Sequence, residues 1–129
     1  LSDKKKSDLV KRQRKYYDET GEFTCEDVMP DLVSRLTMAV ERIEAKGGLV
    51  ALFRMPSSGV ILKREQLRCP KKSCWDALVK ASGLAAVHYS DIANMDNLVL
   101  ADESHVDQAD ASKLTHLIAQ YLREKGFVF

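Results

Sequence analysis

The stretch "RIEAKGGLVALFRMP", residues 42–56, decides how the fold is read. It closes an amphipathic pattern, turns on a glycine pair and runs into a short apolar segment stopped by Pro56. Upstream, Val28, Leu32, Leu36, Val40 and Ile43 recur at spacings of three to four within residues 26–46. That period predicts a helix with one apolar face. Pro30 suits its first turn, and Gly47-Gly48 suit its end. Residues 48–56, "GLVALFRMP", are too few for a buried helix and predict a strand covered on both faces. A helix leading at once into such a strand is the αβ half of a βαβ unit.

Working outward, residues 57–73 predict a loop with room for one helical turn. "CWDALVKASG" (74–83) puts Trp75, Leu78 and Val79 on one face and stops at Gly83, which predicts a short helix. "LAAVHYSDI" (84–92) reads as a second buried strand, and "NMDNLVLADESH" (94–105) as a surface loop. Ala111, Leu114, Leu117, Ile118, Tyr121 and Leu122 share a face of a last helix over 107–125. Asp107 would be its N-cap, with Asp110 in the first turn. Residues 3–18 are charged, with only Leu9, Val10, Tyr16 and Tyr17 apolar or aromatic, and predict an exposed helix ending near Gly21.

Alternating helices and strands point to an α/β fold with parallel strands. About two strands with flanking helices make a poor sheet. The order therefore reads as the C-terminal portion of a larger fold, with strand 49–55 presenting an edge that something must cover. Residues 1–25 form a charged helix and connector, and 26–129 the α/β part. A chain of 129 residues suits one domain. The chain opens on Leu1 rather than Met, which reads as a piece trimmed or excised from something longer.

The formal net charge of +1 gives no global field to recruit nucleic acid or a membrane surface. Lys4–Lys6, Lys11, Arg12, Arg14 and Lys15 could touch phosphate, but no aromatic platform accompanies them, and a solvated helix face is the reading taken. Nucleic acid is not an expected partner. No apolar run approaches the roughly 18 residues of a membrane span, and the basic N-terminus lacks the apolar core of a signal peptide.

Cys25, Cys69 and Cys74 leave alternatives open. All three can be free thiols. Cys69 and Cys74, in "CPKKSCW", can close a local disulfide around Pro70, which leans the compartment towards a periplasmic or other extracytoplasmic one. A zinc site lacks a second Cys/His pair of matching spacing.

The chemistry concentrates in "LADESHVDQADA", residues 100–111, between an apolar run and the last helix. Sites of open α/β sheets gather at such positions. An aspartate three before a histidine on a tight turn can set its carboxylate on imidazole Nδ1. Nε2 is then free to take a proton from a hydroxyl nucleophile. Asp102 and His105 are thus the candidate catalytic pair. The competing reading is an aspartate capping a helix beside a surface histidine. His88 reads as a satisfied core residue and His116 as exposed or at a border.

The block "VLADESHVDQADASKLTHLIAQYL" resembles the C-terminal block of the SGNH (GDSL-like) hydrolase superfamily, where D-x-S-H precedes the final helix. Asp102, Ser104, His105, Val106, Asp110 and Ala111 stand at the matching positions. The layout of residues 26–125 is similar as well, with "RIEAKGGLVALFRMP" and "GLAAVHYSDI" as helix-to-strand and strand-to-aspartate segments. The resemblance implies a three-layer, flavodoxin-like SGNH architecture and a serine esterase or O-acetyltransferase. An ester or acetylated carbohydrate would be the substrate, as in bacterial proteins of cell-surface polysaccharide O-acetylation. It implies His105 as general base, Asp102 as its orienting acid, and no metal or organic cofactor.

The family's G-D-S nucleophile block and its G-x-N-D segment are absent from these residues. Ser57 and Ser58 follow the wrong strand for the nucleophile, and Asn94 and Asn97 lie in the wrong segment for the oxyanion role. Two expectations follow. Either the missing N-terminal half of the fold, or a second copy in a homodimer, covers the open edge. Function is then either acyl transfer completed from elsewhere or a non-catalytic interaction and dimerisation module derived from that fold.

Overall fold

The computed structural model describes residues 2–19 and 24–126. In order these form α1 (Asp3–Glu19), α2 (Cys25–Glu44), β1 (Ala51–Arg54), α3 (Gly59–Arg68), α4 (Trp75–Ser82), β2 (Ala85–His88) and α5 (Ala111–Glu124). Short 3-10 turns lie at Tyr89–Asp91, Met95–Asn97 and Gln108–Asp110. The fold is mixed α/β, as the alternation of elements predicted.

α2 is set at both ends by its sequence. Thr24 N–H donates to the Asp27 carboxylate at 2.8 Å, the return half of a capping box. At the other end Gly47 takes φ +79. Gly48 N–H reaches the Ile43 carbonyl at 3.0 Å and Gly47 N–H reaches that of Glu44 at 2.8 Å. These two bonds are a Schellman stop, which needs the left-handed residue that glycine supplies without a Cβ clash. Because the helix begins at Cys25, Pro30 falls in its second turn and not, as predicted, its first. The predicted end of α1 near Gly21 lies outside the described residues.

β1 and β2 pair in parallel, with Ala51 opposite Ala85, Leu52 opposite Ala86, Phe53 opposite Val87 and Arg54 opposite His88. Phe53 and Val87 share a face, which packs with Ile92, Met95, Leu98 and Leu114 and with Val106, Leu117 and Ile118. α5 thus covers that face with its apolar stripe, and α2 packs on α4. The sheet has two strands among the described residues. Each strand therefore keeps one unpaired edge.

Four expectations need correction. β1 is not covered on both faces: Ala51 is exposed, Leu52 and Phe53 are half-buried, and Leu49, before the strand, is 89% exposed. A strand reaches full burial only with neighbours on both edges and both faces, and β1 has one strand beside it. Residues 57–73 are not mainly loop but carry the ten-residue α3. Its sequence, "GVILKREQLR", is rich in helix formers but lacks an apolar period: Ile61 is 1% exposed and Leu67 is 83% exposed. Residues 94–105 are not merely a surface loop, since Met95 and Leu98 are in the core.

The fourth concerns the cysteines. Cys74 is bonded to Cys25 across a Cα–Cα distance of 5.7 Å, and Cys69 is a free, exposed thiol. Cys25 is the first residue of α2, and Cys74 stands immediately before α4. The packing of these two helices brings the sulfurs together. Cys69 is the C-cap residue of α3, immediately before Pro70.

Candidate functional site

Residues 99–107 form a tight antiparallel excursion. Leu100 bridges Val106, Ala101 N–H donates to the His105 carbonyl at 2.8 Å, and Asp107 N–H to that of Val99 at 2.8 Å. The four residues Asp102–His105 are its turn. Asp102 is 3% exposed. Its Oδ1 accepts from His105 N–H at 2.8 Å, Ser104 N–H at 3.1 Å and Ser104 Oγ at 3.0 Å. Its Oδ2 lies 2.8 Å from His105 Nδ1. Burial pushes the Asp102 carboxyl up, but the hydrogen bonds from His105 and Ser104 outweigh it and hold the group below its ordinary value. The carboxylate is therefore ionised at neutral pH and can only accept. Nδ1 must then carry the proton between the two residues.

The imidazole itself is 73% exposed at the side chain. Its Nδ1 contacts Asp102 and Ser104 Oγ, the latter at 3.0 Å, and no described residue hydrogen-bonds to Nε2. A neutral ring held this way presents an Nε2 lone pair to solvent. An aspartate and a histidine held this way are in a geometry from which proton transfer through Nε2 is chemically possible. The helix-cap reading of Asp102 does not hold. The turn before α5 is capped by Asp107, whose carboxylate accepts from Ala109 N–H at 3.1 Å. Asp110, expected in the first turn, precedes α5 and accepts from Val99 N–H at 2.8 Å.

The turn is fastened to β1's following segment. Ser58 N–H donates to the Glu103 carbonyl at 2.9 Å. The Glu103 carboxylate accepts from Val60 N–H at 3.0 Å and Ile61 N–H at 3.4 Å, at the N-terminus of α3. Its other oxygen meets Arg14 Nη2 of α1 at 2.8 Å. Burial raises the Glu103 carboxyl, and the Arg14 and α3 amide bonds more than reverse this. A second tie to α1 runs from Lys6 to Asp107 at 3.2 Å. Two cations read as a solvated face thus reach this loop. No local pattern signals this tie, because Arg14 and Glu103 are 89 positions apart.

Ser57 is buried, but its hydroxyl donates to Glu65 Oε2 at 2.5 Å, and Glu65 is ion-paired with Arg54. Ser58 occupies the N-cap position of α3 without a side-chain cap bond. Neither serine hydroxyl is bonded to His105. Asn94 and Asn97 bond to each other at 3.4 Å and to neither member of the pair. His88 is a satisfied core residue: Nδ1 accepts from Ser90 N–H at 3.2 Å, and the ring stacks on Tyr89 and meets Trp75 edge-on. Burial, with the nearby Lys71 and Arg54 cations, pushes its pKa down against the pull of Asp91 and Asp76. His116 is exposed.

Among the described residues no group of three or more His, Cys, Asp or Glu is placed to hold a metal ion. No described helix is long and apolar enough to cross a membrane. No protein-family model, curated protein or solved structure matches the chain.

Proposed function

We propose that this chain supplies the acid–base pair of an SGNH-type serine esterase or O-acetyltransferase acting on an ester or acetylated carbohydrate. The observation that carries the reading is the buried Asp102 carboxylate 2.8 Å from Nδ1 of an exposed imidazole. In the proposed reaction a serine hydroxyl from outside these 129 residues attacks the acyl carbonyl. His105 Nε2 takes the hydroxyl proton as the Oγ–C bond forms, and Asp102 stabilises the imidazolium. Collapse of the tetrahedral adduct breaks the bond to the alcohol, which leaves with the proton from Nε2. Water or an acceptor hydroxyl, deprotonated by the same nitrogen, then releases the acyl group. Backbone or asparagine donors for the oxyanion would come with the serine.

A second reading has its own support. Among the described residues each strand keeps one unpaired edge, and the apolar side chains of Leu49 (89% exposed), Leu32 (44%) and Ile43 (44%) are exposed. A partner-binding module without catalysis would use these features. In either reading the missing N-terminal half of the fold or a second copy would occupy them.

The test is intact-mass analysis after treatment with a fluorophosphonate serine probe. It is run on this chain and on a protein extended upstream in its gene. The expected outcome is labelling of the extended protein alone, abolished by His105→Ala. Absence of labelling in both overturns the enzyme reading and leaves the binding module. A robust His105-dependent esterase rate in this chain by itself would overturn the need for an external serine.

A further inference from the structure

Glu103 stands inside the D-x-x-H turn, yet its side chain faces away from the pair it separates. It takes φ +71, the left-handed region that residues with a side chain seldom adopt. Something must hold it there. Its backbone carbonyl is tied to Ser58 N–H, its carboxylate to the amides of Val60 and Ile61, and its outer oxygen to Arg14. Gly59 makes room for this arrangement. A Cβ at position 59 would stand 2.4 Å from the Glu103 carboxyl carbon. Gly59, too, has a positive φ, +57. One side chain thus anchors the turn to the amino end of α3, where the helix dipole favours a carboxylate, and to α1.

We propose that Glu103 is a positioning residue: it fixes the turn so that Asp102 meets Nδ1 of His105. The inference rests on the proposed role of that pair but is read in the isolated chain, whether or not the chain takes part in acyl transfer. Asp102 precedes Glu103 directly and His105 follows it two residues later, so the backbone angle of Glu103 sets how the side chains of that pair face each other. With the anchor gone, residue 103 can relax to a negative φ. The turn then opens, and His105 no longer donates from Nδ1.

The experiment is 15N NMR of the histidine ring nitrogens at a pH where the imidazole is neutral, with thermal unfolding in parallel. Four variants are compared: E103A, E103Q, G59A and, as a remote destabilising control, V40A in α2. In the parent His105 is expected as the Nδ1–H tautomer. E103A and G59A should move it towards the Nε2–H form that free imidazole side chains favour. E103Q, which keeps an acceptor for the α3 amides, should retain most of the parent signal. V40A should leave the tautomer unchanged even as it lowers the melting temperature. An unchanged tautomer in both E103A and G59A overturns the proposal. So does an equal change in V40A, which would make the effect one of general loosening. If E103A does not fold, G59A decides alone: an unchanged tautomer in it overturns the proposal. Failure of fluorophosphonate labelling in the extended protein, with the tautomer shifts intact, would sink the enzyme reading and leave the role of Glu103 standing.

Discussion

Removing the Cys25–Cys74 bond should be the most damaging small change that leaves the candidate site untouched. The two cysteines are separated by 49 positions. In the chain-entropy account, opening a loop of about 50 residues costs roughly 4 kcal/mol at 25 °C through the freed unfolded state. Stability of a domain is itself only about 5–15 kcal/mol, and one kcal/mol moves the melting point of a chain this size by about 4 °C. Reduction, or C25S, should therefore lower Tm by about 15 °C. C69S should leave it in place, because that thiol is exposed and unbonded. Three measurements check this: thiol titration of the denatured, unreduced protein, peptide mapping by mass spectrometry, and thermal unfolding of C25S, C74S and C69S. One titratable thiol and a cross-linked peptide pair containing Cys25 and Cys74 are expected. A Cys69–Cys74 bridge in the peptide map, or a C25S protein as stable as its parent, would refute the reasoning. The bridge also bears on location, since such bonds persist in oxidising compartments. Its confirmation in protein taken from its native source would favour an extracytoplasmic home.

Two further outcomes are expected. D102N keeps an oxygen for the three donors on Oδ1 but turns an amide N–H towards the imidazole. His105 should flip to the Nε2–H tautomer, and fluorophosphonate labelling of the extended protein should fall steeply, as an Asp-to-Asn change in a hydrolase triad lowers kcat by about 10⁴; retained labelling would remove Asp102 from the mechanism. His88 should make stability pH-dependent. Its folded pKa lies below the ordinary 6.5, so its contribution is complete above pH 6.5. As pH falls below that value the unfolded chain takes the proton first, and stability drops until the folded ring is protonated too. Urea melts of the parent and H88Q check this, and an unchanged slope of stability against pH in H88Q would count against it.

What the sequence disclosed depended on the range of the interaction. α2 and α4 were legible because their apolar residues recur with the helical period and glycines stand where each chain direction reverses. The two strands were legible as apolar runs between breakers. However, β2 ends at His88, earlier than its composition suggested, because the ring accepts from Ser90 N–H and starts a 3-10 turn. α3 was missed for want of a period: its helix propensity is carried by Lys63, Arg64, Glu65 and Gln66, a polar run that marks no apolar face in the sequence. The observed disulfide was not among the alternatives left open, free thiols or a local Cys69–Cys74 bridge, because helix packing joins Cys74 to the sequence-distant Cys25. At the candidate site, the spacing of Asp102 and His105 was enough to suggest their contact. The role of Glu103 was not legible, for it lies in contacts with residues 14, 60 and 61.

The open sheet and the candidate pair bear on each other. β1 has β2 on one side and no described strand on the other. The segment following β1 touches the D-x-x-H turn through Ser58 and Glu103. That contact puts the turn at the carboxyl end of the parallel pair, the edge at which open α/β sheets assemble their sites. A strand added in parallel beyond β1 would end at the same edge. Its following loop would then open near the exposed imidazole, where the proposed serine is needed. A strand added antiparallel would cover the hydrogen-bonding edge equally well and carry its following loop to the far end. The orientation of the partner strand therefore separates the two readings. Cross-linking from a photoreactive residue at Ser58 should capture the nucleophile-bearing segment of the extended protein if the added strand is parallel. Capture instead of residues at the strand's amino end would leave a completed sheet with no route from serine to His105, and the binding module would be the better account.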